Sequence, residues 1–569
     1  MVRWLCAVGV LGLSGCTPAP KGAAVEPVAA VAADQTEVSL LLVGDTSVAR
    51  GVAELINGVE AENKPAHGAA FPFELIAPLL HAHDLVFANL ECVLSDSNAE
   101  EALKTYRIRA PTQNAQALHD VGIDVVSVAN NHAADFGVQG MTSTLQTLKD
   151  EGVIAVGAQL TPGWAQPPTI VQVGVYRVGF LAYNQHGDEY RHDNFRPAPA
   201  QYDIDDVIVD VSRARALVDF LIVSVHGGRE LSYELSPWQE ADARAVIDAG
   251  ADVWIGHHPH VVQPWTRYHG KVIAWSLGDF VFDKQPPWLV ARNNPRLFLA
   301  IKLHKDSAGQ VVADANFIAG AQHPKTWQPL VPEHAAFDVD SFALTPLLPT
   351  FRDLLRTAVV ERVRAGSVSL CDRWEKHRIG LGLHAFRWLA PRFACDDEEA
   401  EKLRPWETVA NSAELFQGSL KHGMWAHPHA NGVLRIRFPN IKLGSSLQGF
   451  AGFPDWQITL KDQASKRHED PPAAAVVRVL VADSLSFGEA SSFRRLNAWA
   501  RHDGVIVDTP AVVVGAVEAL TTIPCEGGTS PLHLDTSSLK GTRHDVVVEI
   551  SGGSGDREGR FLFDLAVVP

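Results

Sequence analysis

Three histidines fall within four positions in the stretch "ADVWIGHHPHVVQP", Ala251 to Pro264, directly after an apolar, β-prone run. In an extended chain side chains alternate faces, and Pro259 biases the residue before it toward the extended region. His258 and His260 are therefore expected to share one face, with His257 on the other. Neutral imidazole is the commonest nitrogen ligand for zinc and related ions, and two on one face can chelate a single ion. Taken alone, the stretch could equally be a polar loop with surface histidines.

Four further segments place polar residues of the same kind at the ends of apolar runs. "LLLVGDTSVARG" ends with Asp45, "LVFANLE" with Asn89 and Glu91, "VVSVANNHAADFG" with Asn130, Asn131 and His132, and "FLIVSVHGGRE" with His226 and Glu230. In layered α/β proteins ligands bind in the crevice outside the carboxyl ends of the strands. Five segments delivering ligand-type residues to one rim are therefore expected to build a site. Helix caps and turn residues would account for Asp45 or Asn130 singly, but not for the histidines.

The elements that must position these residues follow from the pattern around them. From Glu37 to about Ala321, strand-like runs such as "EVSLLLV", "FLIVSVH" and "KVIAWSL" alternate with helical stretches such as "GMTSTLQTLKDEG" and "WQEADARAVIDAG". That alternation predicts an α/β domain with a buried sheet over residues 36–330. The run "TPLLPTFRDLLRTAVVERVRAG" predicts a helical linker across 331–404. Beyond it, short β-rich runs punctuated by glycine and proline predict a β-sandwich over 405–569.

The N-terminal "MVRWLCAVGVLGLSGCTPAP" has Arg3 ahead of an apolar run too short to span a bilayer as a mature helix. It reads as a signal peptide, so the chain is expected to be exported. "LSGC" resembles the lipobox of bacterial lipoproteins, which makes Cys16 the expected lipid attachment site after removal of the preceding segment and 17–35, rich in Ala, Pro and Val, a tether. The net charge of -17 disfavours nucleic acid or an anionic membrane surface as a main partner. No CxxC pair exists, which excludes a structural zinc ribbon, while a Cys371–Cys395 bridge is plausible in an oxidising compartment but not deducible from sequence.

The series "GDTSVAR", "NLE", "SVANNHAADFG", "VHGGRE", "GHHPHVVQP" and "WSLGDFVFD" resembles the CapA family, the poly-γ-glutamate capsule biosynthesis proteins of the calcineurin-like metallophosphoesterase superfamily. The likeness covers about residues 37 to 320. It implies a four-layer α-β-β-α sandwich with a centre for one or two divalent ions, Mn, Fe or Zn by the mixed N/O ligand set. It implies Asp45, Glu91, Asn131, His226, His258 and His260 as metal ligands, and His132 as the catalytic residue at the leaving group or oxyanion. Ser47 stands where the superfamily has a ligand histidine, which puts a fully ligated second ion in doubt. Asp279 stands where such chains usually have asparagine, a change expected to alter the pocket more than the ligation.

A centre of this kind supports hydrolysis, since a bound ion acidifies water and polarises a phosphoryl oxygen. Arg50 is the candidate for an anionic group of the substrate. Two classes stay open: a metal-dependent hydrolase acting on a phosphoester or envelope polymer, and a surface-anchored accessory protein that binds a polyanionic capsule polymer without turnover. The C-terminal module resembles galactose-binding-like carbohydrate-binding sandwiches. Trp425, Phe450, Phe453 and Trp456 are candidate stacking faces for a sugar, or else core residues.

Overall fold

The computed structural model describes residues 28–29, 35–59, 65–97, 106–160, 166–186, 197–236, 238–283, 295–323, 326–334 and 337–344, and in the C-terminal third chiefly strands between 359 and 568. Strands and helices intermix up to Gln322, as the apolar runs predict. Val38–Thr46 lies parallel to Leu85–Leu90, which lies parallel to Val125–Ser127, and that strand to Ile154–Val156. In a second sheet Tyr176–Asn184, Phe220–His226, Val253–His257 and Lys271–Ala274 are parallel in that order.

Both faces of these strands are buried, and the period of two decides which residue serves which face. In Val38–Thr46, Leu40 and Leu42 enter a core shared with Val178, Phe180, Ile222 and Ile255 of the second sheet. Leu41 and Val43 face the other way, toward Val52 and Ile56 of the helix Arg50–Asn57 and Met141 and Leu148 of the helix Gly137–Asp150. Across the second sheet, Leu221, Val223 and Trp254 pack on Val207 and Val211 of Ile204–Arg215 and on Val246 of Gln239–Asp248. The result is four layers, helices–sheet–sheet–helices. Because the central strands of each sheet are parallel, their carboxyl ends share one rim.

The expected helical linker is corrected by the structure. Val359–Arg364, Ser367–Cys371, Arg373–Glu375 and further short segments up to Ala394 are strands, while 345–358 lies outside the described residues. "VVERVR" is rich in β-branched residues and pairs antiparallel with Gly432–Lys442, so non-local pairing overrides the helical spacing. The β-sandwich accordingly begins near 359 rather than 405. Its two sheets close on one core, with Ile436, Val479 and Val548 from one and Leu447, Leu534 and Phe563 from the other. The expected tether also changes, because Val28–Ala29 adds a strand beside Val171–Gln172. Cys16 and Cys395 lie outside the described residues, as does the side chain of Cys371.

A candidate metal centre at the strand ends

The inward-facing positions of each strand continue past its last apolar residue, and that continuation builds the site. Leu85 and Phe87 face the inter-sheet core, and the same alternation carries Asn89 and Glu91 to its upper edge. Val125 and Ala129 do the same for Asn131, and Phe220 and Ile222 for His226. Register ties the segments together, with Asp45 opposite both Asn89 and Asp279, and His226 opposite His257.

Asp45 is fully buried. Asn89 donates Nδ2–H to its Oδ1 at 2.8 Å, and the backbone N–H of His258 donates to its Oδ2 at 3.1 Å. Although burial pushes the Asp45 carboxyl up, His257, His260 and Asn89 hold it below the usual carboxylate range. Glu91 is equally buried, but neither carboxylate oxygen has a hydrogen-bond partner. Its Oε1 lies 3.7 Å from His226 Nε2 and 3.6 Å from His260 Nε2. Burial pushes the Glu91 carboxyl well above its ordinary value, against the pull of His260 and with reinforcement from Asp45, Asp279 and Glu230.

The histidines divide into two kinds. Burial, together with His258, His186 and the other nearby imidazoles, holds His226 well below its ordinary value. Its Nε2 meets Asn131 Oδ1 at 2.9 Å and its Nδ1 meets Asn89 Nδ2 at 3.2 Å. His258 is depressed likewise, by burial and by His186, His260 and His132, and its Nδ1 has no hydrogen-bond partner. His260 moves the other way: burial pushes it down, but Glu91, Asp279 and Asp45 together hold it well above its ordinary value. Its Nδ1 lies 2.8 Å from Asp279 Oδ1.

The ligand-type side chains form two adjacent groups, Glu91–His226–His258 and Asp45–His260–Asp279, in each of which the candidate atoms lie within 4.8 Å of one another. Asn131 reaches the first group through His226. The arrangement corrects the sequence-based geometry of the three histidines. His258 and His260 do not continue an extended strand; they adopt φ values of 93° and 55°, and they belong to different groups. His257 closes its strand, faces the inter-sheet core 6.3 Å from the Phe87 ring, and brings Nδ1 within 3.4 Å of Asp45 Oδ1.

His132 sits beside this cluster, with Nδ1 2.7 Å from the buried carboxylate of Asp135. That contact fixes the ring, since Asp135 is itself held by the backbone N–H of Ile108 at 2.7 Å. Arg50 is anchored by Asp283, Nε to Oδ1 at 2.9 Å, and its guanidinium lies over the Phe282 ring, which in turn packs on His260. With 35% of its side chain exposed, Arg50 stands at the rim. Sequence reasoning missed His186, whose ring lies 3.9 Å from that of His258, and Asn89 as the link between Asp45 and His226. "NQH" at Asn184–His186 also follows a parallel strand, which was the available signal. It also placed Asp279 outside the ligand set, whereas the carboxylate joins Asp45 and His260.

The residues fit a divalent ion. A buried carboxylate without a donor costs several kcal/mol, and Glu91 has imidazoles around it but no hydrogen bond, the donor set a transition ion takes. Fold and site together define a four-layer α/β sandwich with buried His/Asp/Glu groups compatible with a divalent metal. Residues 39–284 match the family described as bacterial capsule synthesis protein PGA_cap. The chain is 33% identical over 252 residues to the PGA biosynthesis protein CapA of Bacillus subtilis, a match covering 43% of this chain and 64% of that one. It is 31% identical over 262 residues to the capsule biosynthesis protein CapA of Bacillus anthracis, covering 44% and 61%. A third relative, named a probable polyglutamine synthesis accessory protein of Mycobacterium tuberculosis, is 34% identical over 214 residues, 36% of this chain and 56% of that one. The chain thus spans less than two thirds of the length of these relatives.

Proposed function

We propose that this chain is a surface-anchored protein of capsular poly-γ-glutamate or cell-envelope polymer biosynthesis whose N-terminal domain carries a divalent-metal hydrolytic site. The observation behind this reading is the buried, hydrogen-bond-free Glu91 carboxylate between His226 and His260 in a domain that matches the capsule synthesis family. Asp45, Glu91, Asn131, His226, His258 and His260 would hold one or two ions of Mn, Fe or Zn. A bound ion supplies Lewis-acid chemistry, polarising a substrate oxygen and acidifying water.

The chain's own groups supply the rest. His132, its Nδ1–H directed at Asp135, exchanges a proton through Nε2 with the leaving group. Asp135 keeps that tautomer and orientation, as a carboxylate does behind any working imidazole. Arg50, pre-oriented by Asp283, holds an anionic group of the polymer or phosphoester at the rim. Lipid at Cys16 would keep the domain at the envelope. The C-terminal sandwich would add a weak second contact to carbohydrate, raising the effective concentration there. Phe450 is half-buried and lies between the core residues Leu447 and Ala451 on a strand, so it faces away from the sandwich core as a stacking residue would.

Metal analysis of the purified chain, followed by assays on phosphodiesters, phosphomonoesters and γ-glutamyl peptides and by co-sedimentation with poly-γ-glutamate and peptidoglycan, tests the proposal. Metal-dependent turnover that is lost in His132→Ala with the ion retained is the expected result. Polymer binding without turnover on any substrate selects the non-catalytic accessory role that the name of the mycobacterial relative suggests. Absence of stoichiometric metal overturns the hydrolytic reading.

A further inference from the structure

We propose that Asp279 is itself a metal ligand, and that with Asp45 and His260 it completes a second ion site beside the one formed by Glu91, His226 and His258. The inference rests on the metal-centre reading above and extends it to a residue outside the expected ligand set. Oxygen and nitrogen ligands held about 2.1 Å from one ion lie about 3–3.5 Å apart. Around His260 Nδ1 the separations are 2.8 Å to Asp279 Oδ1 and 3.7 Å to Asp45 Oδ2, which bracket that spacing. All three residues are at least nine-tenths buried.

Two observations separate this group from an ordinary buried acidic cluster. Glu91, fully buried, has no hydrogen bond at either oxygen and approaches His260 from its other nitrogen, so the imidazole lies between carboxylates on both sides. The backbone is also built to bring Asp279 to Asp45. The two residues are opposite each other in a parallel pairing, and the N–H of Asp45 donates to Gly278 O at 3.0 Å. A Cβ on Gly44 would lie 1.9 Å from that same oxygen, so only glycine admits the approach. Behind Asp279, Arg296 lies fully buried with Nη1 3.8 Å from Oδ2, so Oδ1 is the oxygen presented to His260. The alternative, that Asp279 only orients the His260 ring, leaves one ion site in the domain.

The test loads the full chain with Mn2+ and measures bound equivalents after gel filtration, together with the electron paramagnetic resonance spectrum. Wild type is expected to hold two equivalents with a spin-coupled signal. Asp279→Asn and His258→Ala are each expected to hold one, with an uncoupled spectrum, and the double variant none. Two coupled equivalents in Asp279→Asn overturn the proposal and assign Asp279 as a positioning residue. If Asp279→Asn does not fold, the decision falls to wild type and His258→Ala, where one equivalent in the first or none in the second also overturns it. Wild type without bound metal refutes the metal centre as a whole, a result distinct from any of these.

Discussion

Replacing Glu91 with glutamine should move the stability of the ion-free and metal-loaded protein in opposite directions. The carboxyl is fully buried without a hydrogen bond and held well above its ordinary value, so the ion-free fold carries either the desolvation of the charge, several kcal/mol above that raised value, or below it the smaller cost of keeping the proton on. Glutamine keeps the shape and removes the charge, leaving an unsatisfied amide at about 1–3 kcal/mol. The difference is a gain of about 1–3 kcal/mol for the ion-free chain. At about 1.5–2 °C per kcal/mol for a domain of roughly 290 residues, the unfolding transition rises by about 2–5 °C. With Mn2+ at one hundred times the wild-type Kd, binding adds about 2.7 kcal/mol to wild type, and the variant loses most of that through the missing carboxylate. Differential scanning calorimetry with EDTA and with MnCl2, following the transition that Mn2+ shifts in wild type, reads both effects. A lower transition for Glu91→Gln in EDTA, or an undiminished Mn2+ shift, would show that Glu91 is a structural carboxylate and not a ligand held without its ion.

Metal affinity should rise with pH. His260 is held above its ordinary 6.5 and Glu91 above its ordinary 4.5, so both must release protons to bind an ion; affinity grows as pH rises through those raised values, with the His260 part of the window beginning at 6.5. His226 and His258 are depressed below 6.5, are already neutral at pH 7, and compete for protons only on acidification below it. Calorimetric titration between pH 6 and 8 in buffers of different ionisation enthalpy should show net proton release, and a pH-independent Kd contradicts the scheme. His257→Ala should keep its metal while losing on the order of 2 kcal/mol of stability to the cavity it leaves, whereas His258→Ala should lose one of two bound equivalents; equal metal loss from both refutes the division between them. Cys16→Ser should abolish lipid labelling and release the protein from the membrane fraction, and membrane retention without label removes the anchor.

The buried sheet and the rim of the site were legible in the sequence because both depend on a period of two, while the four layers followed only from the family resemblance. Once the apolar runs are strands, Glu91, Asn131 and His226 fall on the inward face two residues at a time, and parallel pairing gathers them at one edge. The helical linker failed for the opposite reason. Val359–Arg364 has local spacing that also fits a helix, and what makes it a strand is Gly432–Lys442, some seventy residues away in the chain.

Asp279 and the three histidines show where local rules stop. The residue before a proline is ordinarily extended, yet His258 has φ 93°, and His260 and Arg50 lie at 55° and 48°. For residues with a Cβ each such conformation costs of order 1–3 kcal/mol and persists only where its surroundings over-determine it. Here the surroundings can be named. Asp45 takes the backbone N–H of His258, Asp279 takes the ring of His260, and Asp283 takes both the guanidinium of Arg50 and the N–H of Gly51. Those three carboxylates turn the two histidines and the arginine away from the conformations their neighbours in sequence favour. Part of the strain therefore lies in the segments that carry ligand-type side chains, and the strand that leads to Asp45 itself shifts register between Leu42 and Asp45. A sequence reading by alternation assigns His258 and His260 to one face and one ion. The turned backbone instead gives one histidine to each of two groups, as the proposed pair of ions would need.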